Sequence, residues 1–195
     1  GILCFMKWCI DKTKIVSKPT KKGDYEYIHK ILLDNLEKTI KIFEKHNIQY
    51  WCTAGTLLGA IREGNIIEHD DDIDLGLFKD DFLKLQNNEN NIQDDLNDIG
   101  LHLLINEPEF NHNKIVTKKN DNNYHINRIF IDIMSFDKEG DRYILDAKAY
   151  GPTGVGYFGN EWFYEKELLP LTTHKLSNLT INIPNNSIKY LERRY

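Results

Sequence analysis

The apolar residues of the first third of the chain recur with a helical period. Tyr27, Ile28, Ile31, Leu32, Leu36, Ile40 and Phe43 follow at steps of three and four, which paints one stripe on a long helix over 24–47. The period then changes. "IQYWCTA" (48–54) is short, β-rich and unbroken, as a buried strand is, and "GTLLGAIREGN" (55–65) sets helix-forming residues between two glycine punctuations. The predicted order is strand, Gly-Thr turn, short helix.

"DIDLGLF" (72–78) alternates well enough for a strand, and Phe82, Leu83, Leu85, Ile92, Leu96 and Ile99 then fall at helical steps around a polar loop near Asn87–Asn91. "LHLLI" (101–105), "KIVTK" (114–118) and "YHINRIFIDIMSF" (124–136) predict three more strands, the last being the longest β-branched and aromatic run. Beyond Asp137 the pattern thins. "DKEGDRY" reads as a turn, "YGPTGVGYFGNEWF" as a glycine and aromatic loop, "NLTINIP" as a strand and "NNSIKYLERRY" as a closing helix. The elements describe an α/β (α+β) protein, a mixed sheet flanked by helices.

A chain of 195 residues, 41% hydrophobic and 28% charged, has material for one well-packed core. Its formal net charge is -5, with no Lys/Arg stripe interleaved with aromatics, so nucleic acid is not an expected partner. Cys4, Cys9 and Cys52 are odd in number and lack metal spacing, which argues against a disulfide framework or a zinc knuckle. A cytoplasmic setting is the expectation, with a secretory lumen as the alternative if an N-terminal anchor has been removed. The opening "GILCFMKWCI" is interrupted by Lys7 and far shorter than a membrane span. It reads as an amphipathic arm, or the edge or stump of something longer.

The chemistry concentrates in "EHDDDIDLGL" (68–77). A block of like charge is most often a solvated loop. A solvated loop, however, has no need of Ile73, Leu75, Leu77 and Phe78 immediately after it. In a strand, residues i and i+2 share a face roughly 6–7 Å apart, so Asp72 and Asp74 point one way while Asp71 and Ile73 point the other. Two hard carboxylates, completed by water and phosphate oxygens, suit Mg²⁺ or Mn²⁺. A calcium loop fits only in part: Asp70, Asp72 and Asp74 take its first, third and fifth places, but Leu75 stands where the sharp turn needs glycine.

Asp132 lies within the apolar run "RIFIDIMSF", where an acid is costly unless paired or metal-bound, and Arg128, on the same strand face, is the alternative partner. Arg62 stands two helical turns past Gly55 and could reach a substrate phosphate or pair with the acidic strand. His69 reads as a hydrogen-bonded bystander. "GVGYFG" spells G-x-G-x-x-G at Gly154, Gly156 and Gly159, yet no strand feeds it and Tyr157 and Phe158 crowd it, so it predicts no dinucleotide site. Tyr150, Tyr157, Phe158 and Trp162 suit either a loop stacking on a sugar or base, or one tucked onto the core.

Together, "AGTLLGAIREGNIIEHDDDIDLGL", "FIDIMSF" and "LLPLTTHKLSNLTINIPNNSIKYLERRY" resemble the LicD family, which includes the fukutin-related proteins. Gly55, Thr56, Leu57, Leu58 and Gly59 match its Gly-Thr-Leu-Leu-Gly turn and helix, and Asp70, Asp72 and Asp74 match its Asp-x-Asp-x-Asp strand. Glu68-His69 replaces the family's usual Pro-Trp, which implies a more polar pocket entry. The resemblance implies a nucleotidyltransferase-like fold over 24–195, with 1–23 as an arm outside it. It implies transfer of a phosphocholine- or phosphoalditol-like group from a CDP-linked donor to a glycan hydroxyl. Asp72, Asp74 and Asp132 would be the catalytic metal carboxylates and Asp70 an outer ligand. Gly55 and Thr56, with Arg62 and Arg128 as further candidates, would bind substrate. Nucleotidyl transfer, or a non-catalytic binding role, is the alternative function.

Overall fold

The computed structural model describes residues 22–87, 90–105, 113–117, 129–146 and 161–195. Helix α1 (Lys22–Lys45) carries the predicted stripe with one change: Leu32, Leu36 and Phe43 are fully buried, but buried Asn35 and Thr39 lie between them while Tyr27 is exposed. Asn35 Nδ2 donates to Thr117 Oγ1 at 3.1 Å, which explains how an amide is accommodated there. The helix ends in a Schellman arrangement. Asn47 takes a left-handed φ of 52°, its N–H reaches the Glu44 carbonyl at 3.2 Å, and the Ile48 N–H reaches that of Phe43 at 2.8 Å.

Strand β1 (Tyr50–Cys52) leads into α2 (Ala54–Glu63), which stops at Gly64 with a φ of 65°. Strand β2 (Asp72–Phe78) follows, then α3 (Lys79–Gln86), α4 (Ile92–Asp98) and β3 (Leu101–Leu104). Next come β4 (Asn113–Thr117), β5 (Phe130–Glu139) and β6 (Arg142–Leu145). The chain closes with β7 (Trp162–Tyr164), the single turn α5 (Glu165–Leu168), the hairpin β8 (Thr172–Leu176) and β9 (Leu179–Ile183), and α6 (Ser187–Arg194). Among the described residues no helix is long and apolar enough to cross a membrane.

Five strands run in the order β1-β2-β5-β4-β3, and β6 and β7 extend the sheet from the far end of β5. Only β2 and β5 are parallel among these pairings, and the rest are antiparallel. That sheet is mixed and helix-flanked, as the pattern predicted. Three strands differ from expectation, among them β8, which falls where no element was expected. "DKEGDRY" contains only a tight reversal at Gly140, φ 62°, with strand on both sides, and the end of the expected aromatic loop is strand β7, of which Phe163 is buried. The glycine run itself, with Tyr150, Tyr157 and Phe158, lies outside the described residues, as does Arg128.

Alternation gives the sheet two unlike faces. Ile73, Leu75, Leu77, Ile131 and Ile133 are wholly buried on one, the face that Thr117 shares with α1. The other carries Asp72, Asp74, Gly76 and Phe78 of β2 in register with Phe130, Asp132, Met134 and Phe136 of β5. Trp51, paired with Gly76, lies 4.9 Å from the ring of Phe78, 5.2 Å from Phe136 and 5.9 Å from Phe163. A Cβ on Gly76 would meet the indole at 2.4 Å, so only glycine admits Trp51 here. An apolar aromatic cluster thus borders the acids on their own face.

Candidate active site

The parallel pairing sets Asp74 directly beside Asp132. Ligand oxygens of Asp72, Asp74 and Asp132 lie within 4.8 Å of one another, a spacing that one divalent ion can span. Asp74 and Asp132 are buried and Asp72 is half-buried. Asp132 Oδ1 has no hydrogen-bond partner among the described residues, an unusual cost for a buried carboxylate oxygen. The ordinary remedies for a buried acid are incomplete here.

Electrostatics records that strain. Burial, then the charges of Asp132 and Asp70, push the Asp74 carboxyl up to about 7, against a smaller downward pull from Arg194 and a Thr56 backbone hydrogen bond. Asp72 is held well above the usual carboxylate range by burial first, then by Asp74, Asp132, Asp70 and Asp71. Asp70, just before β2, is raised by burial and by Asp71, while His29 lowers it. A cation would favour the charged forms of all three. Hard oxygen donors, an unpartnered buried oxygen and raised carboxyls fit Mg²⁺ or Mn²⁺.

The turn from β1 into α2 is fastened to the acidic strand at both of its ends. The Thr53 N–H donates to the Asp74 carbonyl at 3.1 Å, and the Asp74 N–H donates to Thr56 Oγ1 at 2.8 Å. Thr56 is therefore buried against β2, and Thr53 rather than Thr56 occupies the N-cap position. Gly55 supplies proximity: a Cβ there would lie 2.9 Å from Asp70 Oδ2 and 3.6 Å from Asp74 Oδ2. Ala54 takes a φ of 46°, a left-handed geometry costly for alanine. Its N–H donates to the Tyr190 hydroxyl at 3.4 Å, and Tyr190 also meets Thr53 Oγ1 at 3.0 Å and donates to Glu161 Oε2 at 2.7 Å. Arg194 pairs with the other oxygen of Glu161. The C-terminal helix thereby props the turn that carries Gly55.

Other predicted residues fall outside this arrangement. The Arg62 Nε donates to Glu63 Oε1 at 2.8 Å on an exposed surface, so Arg62 pairs neither with the acidic strand nor with its carboxylates. His69 is exposed, edge-on to Tyr25 with ring centroids 5.5 Å apart. Nearby, His29 Nε2 donates to the Asp70 carbonyl at 2.8 Å. Lys114 and Arg194, the cations that face the acids, were absent from the sequence reading: Lys114 Nζ stands 3.2 Å from Asp132 Oδ1. Lysine in the alternating run "NKIVT" was the available signal.

Across residues 47–186 the chain matches the family LicD/FKTN/FKRP, nucleotidyltransferase domain. The chain belongs to the LicD family. The chain is similar to an uncharacterized protein of Rickettsia typhi, 31% identical over 160 residues, which cover 82% of this chain and 44% of that protein. Another, from Rickettsia prowazekii, is 29% identical over 160 residues, 82% of this chain and 52% of its own. The chain thus spans about half the length of these relatives. Mouse and human ribitol 5-phosphate transferase FKRP are 38% identical over 50 residues, 26% of this chain and 10% of theirs. Among solved structures, ANT(2")-Ia in complex with adenylyl-2"-tobramycin aligns with a TM-score of 0.46 and 11% identity, over 80% of this chain and 68% of its own.

Proposed function

We propose that this LicD-family chain is a divalent-metal-dependent transferase that moves a phosphocholine- or phosphoalditol-like group from a CDP-linked donor to a glycan hydroxyl. The observation that carries the reading is the convergence of three carboxylates from two parallel strands, with one buried oxygen that receives no hydrogen bond among the described residues. The named activity of FKRP supports the transferred-group class through a short stretch of similarity.

Mg²⁺ or Mn²⁺ held by Asp72, Asp74 and Asp132, with Asp70 at the edge, would supply neutralisation of the charge that grows on the leaving nucleotide. The acceptor oxygen forms a bond to the phosphorus of the transferred group while the bond from that phosphorus to the bridging oxygen breaks. The electron pair leaves with CMP, and the hydroxyl proton passes to a carboxylate of the site, Asp132 in our assignment. A well-placed base of this kind contributes on the order of 10² to 10⁴-fold. Gly55, with no side chain between the start of α2 and the acids, leaves room for the donor to approach there. The aromatic cluster around Trp51 keeps water from the inner side of the acids.

The test is incubation with Mg²⁺ and a panel of CDP-linked donors, following CMP. Release of CMP that depends on metal and acceptor is the expected result. Consumption of nucleoside triphosphate with release of pyrophosphate would replace this reading with nucleotidyl transfer, and neither product would leave a binding protein with a transferase fold.

A further inference from the structure

We propose that Lys114 is a second, cationic arm of the acidic site, whose ammonium contacts the phosphate oxygens of the donor beside the carboxylates. The proposal rests on the transferase reading above and adds a residue to it.

The placement comes from register. Lys114 is the cross-strand partner of Asp132, and Asp132 is the partner of Asp74, so the three side chains form one row across β4, β5 and β2 on a single face. Lys114 is buried at 8% exposure, a depth at which lysine is rarely found unless paired or functional. Two groups hold its charge there. Nζ lies 3.2 Å from the centre of the Phe130 ring and 3.2 Å from Asp132 Oδ1.

The contact with Asp132 is not a closed pair. Lys38, Lys41 and Lys138 meet their carboxylates in hydrogen bonds of 2.6, 2.8 and 2.6 Å. Asp132 Oδ1, by contrast, has no hydrogen-bond partner among the described residues even with the ammonium beside it. Among the described residues, the strand register and the Phe130 ring therefore hold the cation near Asp132 without a hydrogen bond to its Oδ1.

Charge counting points outward too. Three ionised carboxylates and one ammonium leave two negative charges, which one divalent ion matches. With the carboxylates engaged by such an ion, the ammonium would remain the protein cation in the row, placed to meet an oxygen of the donor's phosphates. A lysine used this way acts as a point charge on phosphate. The rival account makes Lys114 only a counter-ion for Asp132.

Binding measurements separate the two accounts. Mn²⁺ binding and Mn²⁺-dependent CDP binding are measured by calorimetry on the 195-residue chain and on Lys114→Met and Lys114→Arg, with thermal unfolding alongside. On our proposal Lys114→Met keeps Mn²⁺ affinity within about threefold of the unmodified chain or better, and weakens CDP binding roughly 10 to 100-fold, the usual worth of a charge-assisted hydrogen bond. Lys114→Arg recovers most of that loss. Should the methionine variant not fold, Lys114→Gln carries the same comparison. CDP affinity unchanged in the uncharged variant overturns the proposal, as does parallel loss of Mn²⁺ and CDP binding, which marks a counter-ion. Failure of the unmodified chain to bind Mn²⁺ and CDP sinks the transferase reading itself, and this assignment with it.

Discussion

Two clusters of buried carboxylates among the described residues are treated in opposite ways. At the C-terminal end, Glu161 receives a hydrogen bond from Tyr190 at 2.7 Å and pairs with Arg194, while Glu167 takes Arg193 at 3.0 Å. Arg193 is itself held 3.8 Å over the Trp162 ring. Both buried acids there meet a guanidinium. On the β2–β5 face, three acids crowd together with a single ammonium alongside, and one oxygen goes unpartnered. Burial of an acid is thus common to both clusters, and what distinguishes the β2–β5 face is that three carboxylates share it with one adjacent ammonium.

The sharpest way to break this contrast is to remove a charge from each region. Asp74→Asn should cost turnover at least about 10³-fold, equivalent to roughly 4 kcal/mol of barrier, while leaving the metal-free fold as stable as before or more so, because it relieves repulsion. Metal-dependent CMP release and thermal unfolding read the two halves, and retained turnover would remove the acidic strand from the mechanism. Glu161→Ala should do the reverse, lowering stability by about 3 kcal/mol through the stranding of Arg194 and the loss of the Tyr190 anchor. Urea unfolding measures it, and a loss under 1 kcal/mol would mean that this region is not the firm one.

pH tests the same difference without mutation. Asp74 has a folded pKa near 7 against an ordinary 3.8, so between those values the folded chain holds a proton that the unfolded chain has released. Stability of the metal-free protein should therefore be fullest toward the lower value and fall, on the order of 2 kcal/mol from this group, as pH rises through about 7. Saturating Mg²⁺ should flatten that slope, and an unchanged slope would separate the carboxylates from the ion. A smaller effect is expected of Gly55→Ala, whose methyl would press on Asp70 Oδ2: about tenfold weaker Mn²⁺ binding with little change in melting temperature. Smallest of all, Arg62→Ala should alter stability by under about 0.5 kcal/mol and leave the donor KM alone, since its partner is an exposed neighbour. A raised KM would return Arg62 to the site.

What could be read from the chain beforehand divides along the same line. Local period was enough for α1, for β2 with the bounds of "DIDLGLF", and for the two helices on either side of the Asn-rich turn. Parity within β2 was enough to put Asp72 and Asp74 on one face. Strands β6, β7 and β8 escaped because they are short and half-exposed or sit beside glycine-rich sequence, with pairing rather than pattern to define them. The same holds for chemistry. Lys114 meets Asp132 through cross-strand register and Arg194 reaches Glu161 through docking of the last helix, and neither relation leaves a trace in local spacing. Thr56 was visible as a turn residue, but its hydrogen bond to the amide of Asp74 depends on how α2 lies against β2.

The one parallel pairing among the described strands has a consequence for how the protein comes into being. Asp74 and Asp132 reach each other only when β2 and β5 zip together across a long crossover, a non-local step that is slow to nucleate. The carboxylate cluster is therefore absent from any intermediate that has formed only its helices and hairpins. If the acids bind Mn²⁺ as proposed, its acquisition in refolding from urea should coincide with the last phase of sheet assembly, and the ion would then report on topology.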